Sequence, residues 1–457
     1  LEQALRHPSV ERIDVVELNP AIPQMANQYL FSNSAPPDPR VKMHFIDGRA
    51  FLNATNESYD VINVSVPDPQ TAQLNRFYTV EFFRLAREHL APDGLLALEL
   101  RSSEETISPD LAEFLRCIQR TLNEVFPSVV AIPGDTIHFF ATLRSGLLTG
   151  DPQTLVARLQ TRHLPNKYVS QYFIPYRMMP DRMEQARDAL QPLASTQINR
   201  DFSPIAYYFS AVLWRAQFKP ATAGWMRMAA RVSFPNLLAG TLVLLLTAAV
   251  LLAVALPSRM RNQTASVCST AAAGFTLMAL EIILLLAFQS IYGYLYHQLA
   301  VLTALFMAGI ATGSWLSLRG IGHNSGSVGR KVAATQSLLA LSALTTMLLV
   351  SLCTRFSGPG MSWISAQLFF PSLAAFCGVL GGCQFPLAVQ LFGGNNRRSL
   401  GLLYAVDLVG GCAGALALSG YLIPVFGFWR TAWLTAAVNL APLLTTLPHC
   451  LPSRKLD

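Results

Sequence analysis

The stretch YDVINVSVPDPQ, residues 59–70, decides the fold of the first third of this chain. Its β-branched apolar residues are typical of a strand that is buried on both faces. Its two prolines cannot donate to a strand ladder, so the strand ends in a polar turn that carries Asp68. Buried parallel strands of this kind belong to open α/β sheets, which bind ligands beyond the carboxyl ends of their strands.

Short apolar strands alternate with helical patterns on both sides of this stretch. Strand patterns cover residues 12–17, 42–46, 60–66 and 94–100, and helical patterns cover 2–8, 20–30, 79–90 and 109–124. The segment SVVAIPGDTIHFFATL, residues 128–143, reads as two strands around a turn. This order predicts an α/β doubly wound, Rossmann-like sheet over residues 1–145, with helices on both faces and an antiparallel hairpin at one edge. The first strand of such a sheet, with its Gly-rich turn, is expected upstream of Leu1.

The rest of the chain changes character twice. Residues 146–235 are mixed and rich in Arg, Gln, Pro and Tyr, which favours a cap or connecting segment. From residue 236 to 450, apolar runs reach the roughly 20 residues that cross a bilayer as a helix. Seven candidate runs predict an all-α transmembrane bundle of about seven helices: 236–256, 268–290, 295–318, 332–353, 363–392, 401–425 and 430–449. Recurring Gly and Ala residues inside these runs favour close helix packing in lipid.

Composition supports a membrane protein and excludes some functions. Hydrophobic residues make up 52% of the chain and charged residues 13%, with a mean hydropathy of +0.35. The net charge of +7 comes mainly from Lys and Arg in the loops between apolar runs, which favours a topology signal over nucleic-acid binding. The seven cysteines are scattered, which argues against a metal site. We expect a protein of the bacterial inner membrane with its α/β domain in the cytoplasm. A homo-oligomer is compatible with the sequence.

Acidic residues follow three consecutive strand patterns. Glu17 ends the strand IDVVE, Asp47 and Gly48 end the next one, and Asp68 follows the third, three residues after Ser65. A carboxylate at the tip of the second strand of such a sheet typically accepts hydrogen bonds from a cofactor ribose. Each acid alone has an ordinary structural reading, such as an Asx turn. Together at one sheet edge they predict a pocket for an adenosine-containing cofactor.

These residues carry a resemblance to a known family. The segments HPSVERIDVVELNPAI, DGRAFL, YDVINVSVPDP and NRFYTVEFFRLAREHLAPDGLLAL resemble the spermidine synthases, the polyamine aminopropyltransferases. INRDFSPIAYY resembles a segment near the end of the family's soluble part, and the apolar runs resemble its bacterial membrane-embedded branch. The resemblance implies a class I methyltransferase-type fold. It also implies decarboxylated S-adenosylmethionine, or S-adenosylmethionine, as a substrate-cofactor, with a polyamine or other small amine as partner and no metal.

The resemblance also assigns roles to residues. Glu17 would bind the cofactor ribose, and Asp47 with Gly48 would hold the adenine. The family's catalytic loop reads Asp-x-x-Asp-Pro, in which the first acid helps to deprotonate the amine. Asp68 matches the second acid, and Ser65 occupies the position of the first. A general base typically contributes about 10²- to 10⁴-fold to such a reaction. Tyr78, close in sequence, completes the candidate catalytic set.

Two acidic residues lie inside the apolar runs. Glu281 and Asp407 are expensive to place in a membrane and are therefore candidates for a cation path or for interhelical contacts. Three functions stay open at this point. The chain is a transferase of aminopropyl or alkyl groups, a non-catalytic sensor of adenosyl ligands or polyamines that controls the bundle, or a transporter-like bundle with a vestigial soluble domain.

Overall fold

The computed structural model describes residues 1–29, 38–163, 169–218, 220–255, 257–293, 296–320, 328–354, 363–393 and 397–446. The final residues of the last predicted apolar run, 447–449, lie outside these ranges. The chain divides into two compact units. The first comprises Leu1–Asp201 and Phe209–Leu213, and the second comprises Phe202–Tyr208 and Trp214–Asp457. The predicted boundaries at residues 145 and 235 stay predictions.

The first unit contains six strands. They are β1 Ile13–Val16, β2 Val41–His44, β3 Tyr59–Val64, β4 Leu90–Arg101, β5 Ser128–Ile132 and β6 Thr136–Thr142. β1 and β2 pair in parallel, and a separate four-stranded sheet has the order β3-β4-β6-β5. In the second sheet β3 is parallel to β4, while β6 is antiparallel to both β4 and β5.

The two sheets correct the prediction of one continuous sheet. Among the described residues, no ladder hydrogen bonds join β1 to β3, so the parallel part of the sheet is interrupted there. A side-chain contact links the two sheets instead, because the Tyr59 hydroxyl donates to Asp14 Oδ2 at 3.0 Å. The antiparallel hairpin of β5 and β6 is confirmed. Ser65 lies just beyond β3, because that strand ends at Val64.

Helices flank the strands of the first unit. They are α1 Glu2–Leu5, α2 Ala21–Tyr29, α3 Gly48–Ala54, α4 Ala72–Asn75, α5 Val80–Glu88, α6 Pro109–Asn123, α7 Pro152–Thr161, α8 Phe173–Arg177 and α9 Pro180–Leu190. Side-chain oxygens of Asp47, Thr71, Thr79 and Ser108 cap α3 to α6 by accepting backbone N–H groups of the first turn. These caps fix where each helix begins after its strand.

The core of the first unit lies between β4, β6 and the apolar faces of α5 and α6. Phe83, Leu96, Leu115 and Phe139 are almost fully buried there. Alternate residues of β4 point into this core, in agreement with the period of two along a strand. The packed core supports the carboxyl ends of β3 and β4. The loop with the candidate catalytic residues follows β3.

The second unit is helical. Its helices are α10 Ile205–Phe218, α11 Pro220–Ala230, α12 Phe234–Ala255, α13 Ser258–Tyr292, α14 Tyr296–Gly320, α15 Val328–Cys353, α16 Phe370–Gly382, α17 Gln384–Phe392, α18 Arg397–Ala417, α19 Ile423–Val438 and α20 Leu440–Thr446. Residues 209–213 of α10 cluster with the first unit. Among the described residues, six helical runs are long and apolar enough to cross a membrane.

The sixth run is too long for one crossing. It extends over 48 residues, Arg398–Thr445, which would measure about 70 Å as a straight helix, more than twice the hydrocarbon thickness. Gly427 interrupts it with a left-handed φ of 79°. A Cβ there would lie 2.6 Å from the Phe202 carbonyl oxygen, so only glycine fits. The run therefore covers the last two segments that the sequence predicts as separate helices.

Glycines bring two pairs of these helices into backbone contact. Gly309 and Gly313 of α14 face Ala375 and Val379 of α16, and a Cβ on either glycine would lie within 2.4 Å of a carbonyl oxygen. Gly410 and Gly414 of α18 face Ala271 and Phe275 of α13 in the same way. Contacting positions increase together along both helices, so each pair runs parallel. Such small-xxx-small spacing is typical of helices that associate in lipid.

Candidate functional site

Glu17 follows β1 directly. Its backbone N–H continues the ladder to the His44 carbonyl at 3.0 Å, and its Oε1 accepts the Asn19 N–H at 2.9 Å. The side chain is half-buried. Glu17, the residue predicted to bind the ribose, is therefore fixed at a strand end. The second oxygen of its carboxylate has no partner among the described residues.

Asp47 follows β2 and caps α3. Its Oδ1 accepts the N–H groups of Arg49 at 3.0 Å and Ala50 at 3.1 Å. Its Oδ2 accepts Arg76 Nη1 at 2.6 Å. The Arg76 side chain is 2% exposed and that of Asp47 13%. The helix N-terminus and the guanidinium thus hold the carboxylate in one orientation while leaving part of it accessible.

Gly48 leaves space for the side chain of Phe77. A Cβ at this position would lie 3.3 Å from Cε1 of Phe77, so the Phe77 ring packs directly over the glycine backbone. Arg76 in turn lies over the same ring, with Cζ 5.4 Å from its centroid. The predicted role of Gly48 against an adenine ring stays a prediction. Its structural neighbour is Phe77.

A buried ion-pair network lies behind Asp47. Arg49 pairs with both carboxylate oxygens of Asp201 at 2.9 Å, and the Thr79 hydroxyl donates to Asp201 at 2.7 Å. The Asp201 backbone N–H donates to Glu81 at 3.0 Å. Burial and the neighbouring Asp201 carboxylate raise the pKa of Glu81. This network fixes the segment that ends the first unit against the start of α3 and α5.

Asn199 anchors the same segment in the core. It is fully buried, and its Nδ2 donates to Asn75 Oδ1 at 3.0 Å and to the Tyr78 carbonyl at 2.9 Å. Its backbone carbonyl accepts the N–H of Val80 at 3.1 Å. Asn199 and Asp201 lie two residues apart in the segment INRDF. Both act inside the first unit.

The loop after β3 carries the candidate catalytic residues. Ser65 is exposed and Asp68 is half-buried. Asp68 Oδ1 accepts the backbone N–H of Arg101, the last residue of β4, at 3.2 Å. This bond ties the loop to the neighbouring strand end. The carboxylate keeps free acceptor positions for a ligand, since a carboxylate accepts about four hydrogen bonds.

Tyr78 supports this loop from inside. Its side chain is fully buried, and its hydroxyl approaches the carbonyl oxygens of Val66 at 2.9 Å and Pro67 at 3.2 Å. Burial, with a smaller contribution from the Asp68 and Glu99 carboxylates, raises the pKa of Tyr78 far above its usual range. The hydroxyl is therefore a hydrogen-bond donor that holds the loop backbone.

A small cleft opens beside the loop that follows β4. Its polar lining includes Ser103, Glu104, Arg182 and Gln185. Glu104 and Arg182 form an ion pair across it. The ion pair with Arg182, the nearby Arg177 charge and the hydrogen bond that the Tyr176 hydroxyl donates to Glu104 lower the pKa of Glu104. Sequence reasoning missed this cleft, because α8 and α9 reach it from residues more than 70 positions further along the chain.

The two acidic residues predicted as candidates in the apolar runs, Glu281 and Asp407, do not meet. Glu281 is buried in α13, and its Oε2 has no hydrogen-bond partner in the described part of the chain. Asp407 in α18 lies against Gly274 of α13. Gly274 and Glu281 are seven residues apart, which places the two acids about 10 Å apart along the helix axis. They do not form one site.

Comparisons with known proteins bear on the first unit. Residues 1–139 match the family model described as spermine/spermidine synthase domain. Residues 1–139 therefore form a spermidine-synthase domain. A polyamine aminopropyltransferase of Oceanobacillus iheyensis is 36% identical over 105 residues, which cover 22% of this chain and 20% of that protein. One of Nitrosomonas europaea is 32% identical over 131 residues, which cover 28% of this chain and 40% of that protein.

The chain thus spans only a fifth to two fifths of these curated relatives. Among solved structures, a spermidine synthase in complex with the transition state analogue AdoDATO is similar to 41% of this chain and 62% of its own. That similarity has a TM-score of 0.32 and 19% sequence identity. The match to the family model covers Glu17, Asp47, Ser65, Asp68 and Tyr78, all of which lie within residues 1–139.

Proposed function

We propose that this protein is a membrane-embedded transferase of the spermidine-synthase type. It would move an aminopropyl or alkyl group from decarboxylated S-adenosylmethionine, or a relative of it, to an amine. One observation carries the proposal. Within the spermidine-synthase domain, Glu17 and Asp47 follow the paired parallel strands β1 and β2, and Asp68 lies in the loop after β3. Each carboxylate is held by backbone or guanidinium hydrogen bonds.

The donor would bind through the first two carboxylates. Glu17 would accept hydrogen bonds from the ribose hydroxyls, and Asp47 would accept one from the exocyclic amino group of adenine. Both are acceptor-only groups when ionised, and both target groups are donors. Since S-adenosylmethionine and its decarboxylated form share the adenosyl part, these contacts serve either donor.

The reaction would take place at the loop after β3. A neutral amine attacks the carbon beside the sulfonium, a C–N bond forms, the C–S bond breaks, and 5′-methylthioadenosine leaves. The amine must first lose a proton, and Asp68 is the carboxylate on this loop that can receive it or hold the ammonium group. Tyr78 would act by positioning the loop, because its buried hydroxyl donates to the loop carbonyls.

Ser65 supports a second candidate, a binding domain without turnover. A serine hydroxyl has no proton-accepting capacity near neutral pH, and Ser65 is exposed beyond the end of β3. In that case the domain would sense an adenosyl ligand or a polyamine and control the helices of the second unit.

The second unit would lie in the inner membrane, with the spermidine-synthase domain in the cytoplasm. The six long apolar runs and the glycine contacts between parallel helices support the membrane placement of the second unit. An integral protein stays in the membrane pellet after an alkaline carbonate wash. Release of the full chain into the soluble fraction by that wash would contradict the membrane proposal.

The test of the transferase is a turnover assay on the detergent-solubilised full chain. Decarboxylated S-adenosylmethionine labelled in the aminopropyl group is incubated with putrescine, and labelled polyamine is separated from the donor. Product that depends on Asp68, shown by its loss in Asp68→Asn, supports the transferase. Donor binding without product favours the sensor, and neither binding nor product rejects both.

A further inference from the structure

Asp47 has little acceptor capacity left in this structure. An ionised carboxylate accepts about four hydrogen bonds. In the described ranges, Asp47 Oδ1 accepts two backbone N–H groups and Oδ2 accepts one from Arg76. About one position on Oδ2 is left, and the side chain is 13% exposed, so a ligand atom can reach it. That position accepts a hydrogen and cannot donate one.

Arg76 fixes the direction of the remaining acceptor position on Asp47 Oδ2. It is 2% exposed and lies 2.6 Å from Oδ2, so neither group can turn without separating a buried pair. Its backbone is held as well, because its carbonyl accepts Arg49 Nη1 at 3.3 Å. Arg49 is fixed in turn by its two bonds to Asp201. With Glu81, these are the charged groups that surround the pair.

We propose that Arg76 is a positioning residue that makes this site selective for a purine with an amino group at position 6. The inference rests on the proposed function, since it assumes that Asp47 faces the base of an adenosyl ligand. Adenine offers an N–H at position 6, which the pinned carboxylate accepts. Hypoxanthine offers a carbonyl oxygen there, which faces a carboxylate oxygen with no proton between them.

The test compares two nucleosides that differ only at this position. Binding of 5′-methylthioadenosine and 5′-methylthioinosine to the full chain is measured by calorimetry for wild type and Arg76→Met. We expect wild type to prefer the adenine nucleoside. Arg76→Met weakens binding of the adenine nucleoside roughly tenfold and leaves the inosine nucleoside unchanged, so the preference falls. Arg76→Lys, which keeps the charge, restores part of it.

Two further variants separate positioning from folding. Arg40→Met removes another guanidinium of the same unit, one that pairs with Asp38 away from the site, and it should leave the preference intact. In an Asp47→Asn background, which keeps a helix-capping side chain, Arg76→Met should have no further effect on the adenine nucleoside. That non-additivity is the signature of an effect transmitted through Asp47.

Some outcomes would overturn the inference. An equal loss for both nucleosides in Arg76→Met and Arg76→Lys, or an unchanged preference in both, rejects it while the proposed function stands. An additive effect in the Asp47→Asn background also rejects it. Failure of the wild-type protein to bind 5′-methylthioadenosine rejects the proposed function, and this inference with it.

Discussion

Two regions of the spermidine-synthase domain, one after β2 and one after β3, differ in how their acidic residues are held. The residues predicted to bind the donor include Asp47, which is held by two backbone N–H groups and the buried Arg76 guanidinium. The candidate catalytic loop has an exposed Ser65, at the position where the family resemblance implies an acid, and an Asp68 with one backbone bond. The difference predicts that the proposed nucleoside site is more completely built than the proposed proton acceptor.

The most direct way to break this comparison is to restore the missing acid. Ser65→Asp should raise the turnover of decarboxylated S-adenosylmethionine and putrescine by about 10²-fold, because a general base contributes about 10²–10⁴-fold. The dissociation constant of the donor should stay unchanged. Ser58→Asp, at the other end of β3, is the matched control and should gain nothing. A gain of equal size in both variants would show that added charge, rather than a base, is responsible.

Removing the recognition carboxylate should have the next largest effect. Asp47→Ala should lose the proposed adenine contact and removes the carboxylate that pairs with Arg76, so donor affinity should fall roughly 10- to 100-fold. Asp38→Ala, an aspartate paired with Arg40 outside the site, serves as the control. Equilibrium dialysis with labelled donor measures both. Equal affinities in the two variants would remove Asp47 from the site.

The contact between the two sheets tests how far β1 and β2 depend on the rest of the unit. Asp14 is 2% exposed and accepts bonds from Arg12, His44 and Tyr59. Asp14→Asn should destabilise these strands by about 1–3 kcal/mol. Hydrogen exchange of peptides that cover β1 and β3 reports the change. Asp93→Asn, which breaks an exposed pair with Arg144, should leave this exchange unchanged.

The pH dependence of the same contact has a definite sign. Burial acts to raise the pKa of Asp14, but the bonds from His44, Tyr59 and Arg12 outweigh it and the pKa is lowered. The stabilisation is therefore present above the unfolded pKa of about 4 and is lost as pH falls through the lower folded pKa. Wild type should lose more protection than Asp14→Asn on acidification. A parallel loss in both proteins would contradict the assignment.

The smallest effect should come from Tyr78. Tyr78→Phe removes the bond to the loop carbonyls, worth about 1 kcal/mol, and should lower kcat about fivefold. Burial keeps its hydroxyl protonated because it raises the Tyr78 pKa. The pH–rate profile should therefore keep its shape. A lost inflection in Tyr78→Phe would show that the hydroxyl takes part in proton transfer.

Much of the fold follows from local patterns. The β-branched runs and the turn before β6 predict the strands, because strand burial and turn chemistry are short-range features. The interruption between β1 and β3 does not follow from them, because pairing between strands is set by the three-dimensional neighbours of each edge. The separation of the last two apolar runs near Gly427 follows from the sequence, but the approach of the Phe202 carbonyl to this glycine does not.

The candidate site divides in the same way. Glu17, Asp47 and Asp68 are visible in the sequence because each follows a strand. Arg76 and Asp201 are not, because their partners Asp47 and Arg49 lie 29 and 152 positions away. Tyr78 is close in sequence to the loop, but its burial and its donor role depend on the packed core beneath it.

Donor binding by the full chain tests the central proposal most directly. Labelled decarboxylated S-adenosylmethionine is titrated against wild type, Glu17→Ala, and Glu11→Ala, which lies before the other end of β1. We predict saturable binding that 5′-methylthioadenosine displaces, with a loss of affinity in Glu17→Ala and none in Glu11→Ala. No saturable binding by wild type, or the same affinity in all three proteins, would contradict the assignment of an adenosyl site to the carboxyl ends of β1 and β2.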